Sequence, residues 1–234
     1  MSKPLGRAIP PDFHHVEKYA LNALDTAARP KRVPVAVGSN WYTGMDTPQL
    51  ASDGTYWIGK SRMGTVRGGH CYCLEPAGRS ERDESSLWAF YDQGQEGACE
   101  GFGHSRMMSL LNRKRYDAFW LYDQARILDG QPSEEGTTNR AALEVLRTRG
   151  HVVVHARQNT ADRHGTPDLA EGISAYRWAT TVDEILTALG TPTADHVVLL
   201  NSWGTQWPHR VSMPATTLER LMREQGEAGV VTDK

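Results

Sequence analysis

Tyr91-Asp92-Gln93-Gly94-Gln95-Glu96-Gly97-Ala98-Cys99 is a glycine-rich loop that ends on a cysteine, and the run Cys99–Asn112 that follows is free of proline. Phe102, Met107, Met108, Leu110 and Leu111 give that run an apolar face, so a helix starting at Cys99 is expected. A thiol at a helix amino terminus meets unpaired backbone N–H groups and the positive end of the helix dipole, and both favour the thiolate. The thiolate is the nucleophilic form of cysteine, so this is a suitable position for a reactive residue. Gln93 lies upstream in the same loop and can fold back. Its side-chain amide and the Cys99 backbone N–H would together supply the two donors that an oxyanion needs in acyl transfer.

Outward from this loop the pattern divides. Downstream, Ala118–Leu128 and 138–149 read as helices, the second with Thr137 or Thr138 as cap and Gly150 as stop. Val182–Leu189 is a short helix started by Thr181 or Thr180, and 216–225 a closing helix. Strands are expected at 33–37, ended by Gly38, and at 56–58, 71–74, 151–156 and His196–Leu200. Segment 15–21 is a short extended candidate, and the polar, charged segment 78–86 reads as a loop. Helical sequence is thus flanked on both sides by β-rich sequence. The expected fold is α+β, with a helical lobe packed on an antiparallel β lobe and a cleft between them.

Composition bounds the function. The 234 residues suit one large domain or two small lobes, and 39% apolar residues with seven tryptophans suffice for a packed core. A net charge of −2 argues against a general grip on nucleic acid, which needs a basic surface to displace phosphate counterions. Arg113-Lys114-Arg115 reads as a solvated helix face. No apolar run approaches the roughly 18 residues of a membrane span, and the amino terminus does not look like a signal peptide. The three cysteines, Cys71, Cys73 and Cys99, make no disulfide framework, which fits a reducing compartment.

Two further stretches carry chemistry. In Leu200-Asn201-Ser202-Trp203-Gly204-Thr205-Gln206-Trp207, an asparagine at a strand end can accept a hydrogen bond from an imidazole, and the Trp203 indole can shield that bond from water. In Arg67-Gly68-Gly69-His70, two glycines lead into a strand that starts with a histidine.

Together these segments resemble the papain-like cysteine peptidases. Asp92-Gln93-Gly94-Gln95…Cys99…Phe102 is similar to the family's cysteine segment, Asn201-Ser202-Trp203-Gly204-Thr205…Trp207 to its asparagine segment, and Gly68-Gly69-His70 to its histidine segment. Weaker similarity covers 116–150, where the family has helices, and 33–38, like the strand before its histidine hairpin. The resemblance implies a single two-lobe domain over 1–234, with 91–150 mainly the helical lobe and 1–90 and 151–234 mainly the β lobe. It implies Cys99 as nucleophile, His70 as base, Gln93 at the oxyanion and Asn201 orienting the imidazole. No cofactor or metal is implied.

The chain departs from the family in three places. Glu96 stands where the family has a disulfide cysteine. Glu100 stands where it has tryptophan, and an acid beside the thiol is expected to oppose its ionisation. The order is also changed: the family runs Cys, His, Asn, whereas here His70 precedes Cys99, as if the histidine hairpin had moved toward the amino terminus. Roles and geometry define such a site, and chain order does not.

A rival histidine, His196, sits in Asp195-His196-Val197-Val198. In one strand, positions 196 and 201 point to opposite faces and lie about 17 Å apart at roughly 3.3 Å per residue. If the His70 strand instead runs antiparallel to His196–Leu200, its start meets the other's end and brings His70 to Asn201. Cys71 and Cys73 alternate away from His70 and read as core. His151 and His155 could share a strand face without a carboxylate motif beside them, and His14-His15 reads as surface.

The function expected is thiol peptidase action on peptide or protein substrates, with no nucleic-acid or membrane partner, in the cytoplasm or carried in a virion if phage-encoded. The alternatives are the same fold kept as a non-catalytic component, for example with assembly partners in a phage particle, and a cell-wall amidase, against which the Asn-Ser-Trp-Gly segment speaks.

Overall fold

The computed structural model describes residues 32–61, 63–76, 91–154 and 165–233. The expected segments at 15–21 and 78–86, and His14, His15 and His155, lie outside these.

Strand β1 (Val35–Tyr42) shows how the layers arise. Side chains alternate along a strand. Val35 and Val37 accordingly enter one core and Ala36 another. Strand β4 (Val66–Leu74) repeats this, with Tyr72 and Leu74 in the first core and Cys73 in the second. The other strands are β2 (Gln49–Leu50), β3 (Tyr56–Trp57), β5 (Arg115–Tyr116), β6 (Val153–Val154), β7 (Ala175–Ala179), β8 (His196–Leu200), β9 (Arg210–Pro214) and β10 (Glu227–Asp233). Eight form one sheet in the order β2-β3-β9-β8-β4-β1-β10-β7, and β5 pairs with β6 separately. Every named pairing is antiparallel except β3 with β9.

Five α-helices cover the sheet among the described residues. On one face, α1 (Cys99–Asn112), α2 (Ala118–Leu128) and α3 (Asn139–Thr148) bring Met107, Leu121, Leu143 and Leu146 against Ala36, Cys73, Leu200 and Val231. On the other, α4 (Val182–Leu189) and α5 (Ala215–Arg223) bring Ile185, Leu189, Leu218 and Leu221 against Val35, Tyr72, Leu74 and Leu199. Each fully buried aliphatic side chain of this kind contributes about 1.5–3 kcal/mol. The α+β class is the one expected, with β1, β4 and β8 neighbours in one sheet and the helices of 91–150 on one face. Among the described residues no helix is long and apolar enough to cross a membrane.

Capping explains where most helices begin. Asp117 accepts the Trp120 N–H at 3.0 Å, Thr138 accepts the Ala141 N–H at 3.1 Å, and Thr181 forms a capping box with Glu184. Helix α1 has no such cap: its first flanking residue is Ala98, and no side chain caps its first N–H groups. Helix α5, which follows Pro214, also lacks a side-chain cap, and of the two uncapped amino termini the one of α1 carries Cys99.

Several boundaries differ from the sequence reading. β1 runs through Gly38 to Tyr42. A Cβ at Gly38 would lie 3.3 Å from both Glu100 Oε1 and Asn139 Nδ2, so this glycine admits α1 and α3 close to the strand and does not end it. The run at 151–156 keeps only the two-residue β6 among its described residues. β7, β9 and β10 are strands that the sequence reading did not find.

Candidate active site

β8 pairs with β4 only at Cys73↔Leu200 and Leu74↔Leu199. Beyond that register the chain turns away at Asn201, and the gap is filled by the loop before α1. Asp92 bridges to Trp203, the Gln93 N–H donates to the Ser202 carbonyl at 3.0 Å, and the Gly204 N–H donates to the Tyr91 carbonyl at 3.1 Å. Gly204 is required in this junction: its φ is +63°, and a Cβ would come within 2.4 Å of Asp92 Oδ2. The cysteine loop and the asparagine segment are therefore bonded to each other through their backbones.

His70 is one residue before Cys71 in β4 and is 2% exposed. His70 Nε2 lies 2.8 Å from Asn201 Oδ1. The same oxygen accepts the Ser202 N–H at 2.8 Å, which fixes which end of the amide is oxygen. Nε2 must then carry the proton and donate it to Asn201. The neutral ring keeps its lone pair on Nδ1, a buried atom with no hydrogen-bond partner among the described residues. Burial lowers the His70 pKa to about 4; Asn201 and Asp46 oppose the shift and Arg67 adds to it. At neutral pH the ring is an uncharged base of fixed tautomer.

Aromatic rings enclose this pair. Trp203 lies 5.1 Å from the imidazole at 37°, and Trp41 presents an edge at 4.8 Å. Trp41 is held in turn, its Nε1–H donating to Asp46 Oδ1 at 2.9 Å, while Arg67 bonds the same carboxylate at 2.7 Å. The sequence reading named Trp203 and missed Trp41, Asp46 and Ser202. Trp41 was hidden behind the apparent strand end at Gly38.

Gln93 is buried beside Asn201's neighbour. Its Oε1 accepts from Ser202 Oγ at 2.8 Å, and its Nε2 donates to the Glu96 carbonyl at 2.9 Å. One N–H of the amide is thus used within the loop, and the second remains for another acceptor. Cys99 opens α1 and is 1% exposed. The first turn of α1 rests on β4: Glu100 and Cys99 both act electrostatically on Cys71, the residue after His70.

Burial weakens the charge that Glu100 was expected to set against the thiol. Its carboxyl turns toward Gly38 and Cys71, and burial raises its pKa to about 8, with Glu227 adding and the Cys71 thiol opposing. One unit below that value the neutral acid dominates by about tenfold.

His196 and His151 stand apart from the pair of His70 and Asn201. His196 begins β8 opposite Pro214, is half-exposed, bonds Asp195 at 2.7 Å and lies 5.2 Å from the Trp57 ring. It is at the far end of the strand from Asn201. His151 is a core residue, stacked on Tyr116 at 4.6 Å and 2.9 Å from Ser105 Oγ, with Nδ1 accepting the Val152 N–H.

No protein-family model matches the sequence, and no curated protein matches it. Among solved structures the chain is similar to xylellain, a cysteine protease from Xylella fastidiosa, with a TM-score of 0.47 and 13% identity over 88% of this chain and 99% of that one.

Proposed function

We propose that this chain is a papain-like thiol peptidase of one domain, acting on peptide or protein substrates through Cys99, His70, Asn201 and Gln93. The observation that carries the reading is the 2.8 Å contact of His70 Nε2 with Asn201 Oδ1, which leaves a buried lone pair on Nδ1. In this mechanism Nδ1 takes the Cys99 thiol proton, and the thiolate attacks the scissile carbonyl. The oxyanion is held by the Cys99 N–H, at the uncapped start of α1, and by the second N–H of Gln93. The imidazolium then protonates the leaving amine, and water hydrolyses the thioester by the reverse roles. In this reading the histidine comes from β4, ahead of the cysteine in the chain, as a transposed histidine segment would place it.

A second reading is favoured by one observation, the 1% exposure of Cys99: a papain-like fold kept as a binding or structural component of an assembly such as a phage particle. Labelling with a peptidyl electrophile directed at thiol peptidases, together with cleavage of an unfolded protein, separates the two. Stoichiometric labelling and cleavage, both lost in Cys99→Ala, support the peptidase. A chain that neither labels nor cleaves supports the component.

A further inference from the structure

Beneath the first turn of α1, on the face of β4 opposite His70, three side chains converge that the reaction does not use. Cys71 Sγ, a Glu100 carboxylate oxygen and a His104 ring nitrogen all lie within 4.8 Å of one another, and all three residues are buried. His104 Nδ1 is 4.0 Å from Cys71 Sγ, 3.6 Å from Glu100 Oε2 and 2.8 Å from the Glu100 carbonyl oxygen. Asn139 reaches the same place from α3 and is anchored there, its Nδ2 donating to the Glu227 carbonyl at 3.2 Å.

The polar accounting does not close with protein atoms alone. Glu100 Oε2, His104 Nε2 and Asn139 Oδ1 are buried and have no hydrogen-bond partner of good geometry among the described residues. A neutral imidazole has one N–H: given to the Glu100 carbonyl through Nδ1 it leaves Nε2 facing Asn139 Oδ1 without a donor, and given to Asn139 through Nε2 it sets the Nδ1 lone pair against that carbonyl at 2.8 Å. Each buried polar group left unmatched costs about 1–3 kcal/mol.

We propose that Cys71, Glu100 and His104 bind a zinc-class divalent cation, with His104 coordinating through Nδ1. A cation there takes Cys71 Sγ, Glu100 Oε2 and Nδ1 as ligands, and the Glu100 carbonyl stands at the fourth side. The ring proton moves to Nε2, on the side facing Asn139 Oδ1, so one ion satisfies all three unmatched atoms. Thiolate, imidazole and carboxylate are the donors zinc prefers. A tetrahedral site with bonds of about 2.0–2.3 Å spaces its ligands by roughly 3.3–3.8 Å; Nδ1 stands 3.6 Å from Glu100 Oε2 and 4.0 Å from Cys71 Sγ, so closing the set around an ion needs small side-chain shifts. An asparagine carbonyl behind the ligating ring is the usual kind of support for such a site. Glu100 and His104 stand one helical turn apart on α1, and Cys71 is on β4. The ion would therefore tie the helix carrying Cys99 to the strand carrying His70. The site stands independently of the peptidase reading, and its test does not use activity.

The test is cobalt(II) titration of the full-length Cys99→Ser chain, in which the loop thiol cannot contribute. The expected result is equimolar binding with a thiolate-to-cobalt charge-transfer band and the intense visible bands of a four-coordinate ion. Adding Cys71→Ser should abolish the charge-transfer band. His104→Gln, which keeps every thiol, should weaken binding at least tenfold, and it decides the matter if the Cys71 variant does not fold. No charge-transfer band in the Cys99→Ser chain, or a band and affinity unchanged by the substitutions, overturns the site.

Discussion

His70 and Asn201 come from strands that lie side by side, and their side chains meet where the pairing of those strands ends. Asn201 Oδ1 sits between two donors at 2.8 Å each, His70 Nε2 and the Ser202 N–H. The backbone thus sets the amide, the amide sets the imidazole tautomer, and the tautomer leaves the ring's lone pair on Nδ1.

Gln93 has one N–H committed to Glu96 and its oxygen to Ser202. If the other N–H serves the oxyanion, Gln93→Ala should lower kcat/KM for a peptide substrate by about 10²–10³. Alkylation of Cys99 by a small haloacetamide, which builds no oxyanion, should change by less than about threefold. Equal losses in both assays would make Gln93 a loop support only.

Gly204 joins the two site segments through a conformation that side chains rarely adopt. Gly204→Ala should destabilise the chain by about 1–3 kcal/mol in urea unfolding, from backbone strain and the contact with Asp92. Asp92→Ala in the same chain should restore the steric part and leave the strain. If Gly204→Ala unfolds at the parent midpoint, the junction is not as tight as described.

His151 has its pKa lowered to about 3, first by burial and then by His104. A depressed histidine stays neutral in the fold while the unfolded chain takes up a proton below about pH 6.5. Its contribution is complete above the unfolded value and is lost as pH falls from there toward 3. His70 and His104, both lowered to about 4, act in the same direction. Unfolding free energy should therefore fall steeply between pH 6.5 and 4, and His151→Gln should reduce the slope by up to about 1.4 kcal/mol per pH unit. An unchanged slope in the variant would mean that His151 titrates normally.

The antiparallel pairing of the His70 strand with His196–Leu200 was expected from the sequence, but β4 begins at Val66 and not at His70, its register sets Cys73 opposite Leu200, and His70 reaches Asn201 where the chain turns away beyond that pair. The separation of His196 from Asn201 along one strand was legible from the rise per residue. Cys99 at a helix start was legible from the glycine-rich loop and the proline-free run after it. Trp41 was not, because a glycine in a β run reads as an end, whereas Gly38 is there for close packing against Glu100 and Asn139. The formal charge of Glu100 is legible in the sequence, but the burial that raises its pKa is not. The grouping of Cys71 with Glu100 and His104 joins a strand to a helix distant in sequence, and the one local trace of it is the one-turn spacing of Glu100 and His104.

The direct measurement is the rate of Cys99 alkylation against pH in the parent chain and in His70→Ala, Asn201→Ala and His196→Ala. The parent should react at neutral pH. His70→Ala should lose that reactivity by about 10²-fold or more, since it removes the base. Asn201→Ala should lose about tenfold, the worth of one hydrogen bond of about 1.4 kcal/mol. His196→Ala should react as the parent does. If His196→Ala is the inactive variant, or if none of the three changes the rate, then His70 is not the base of this site.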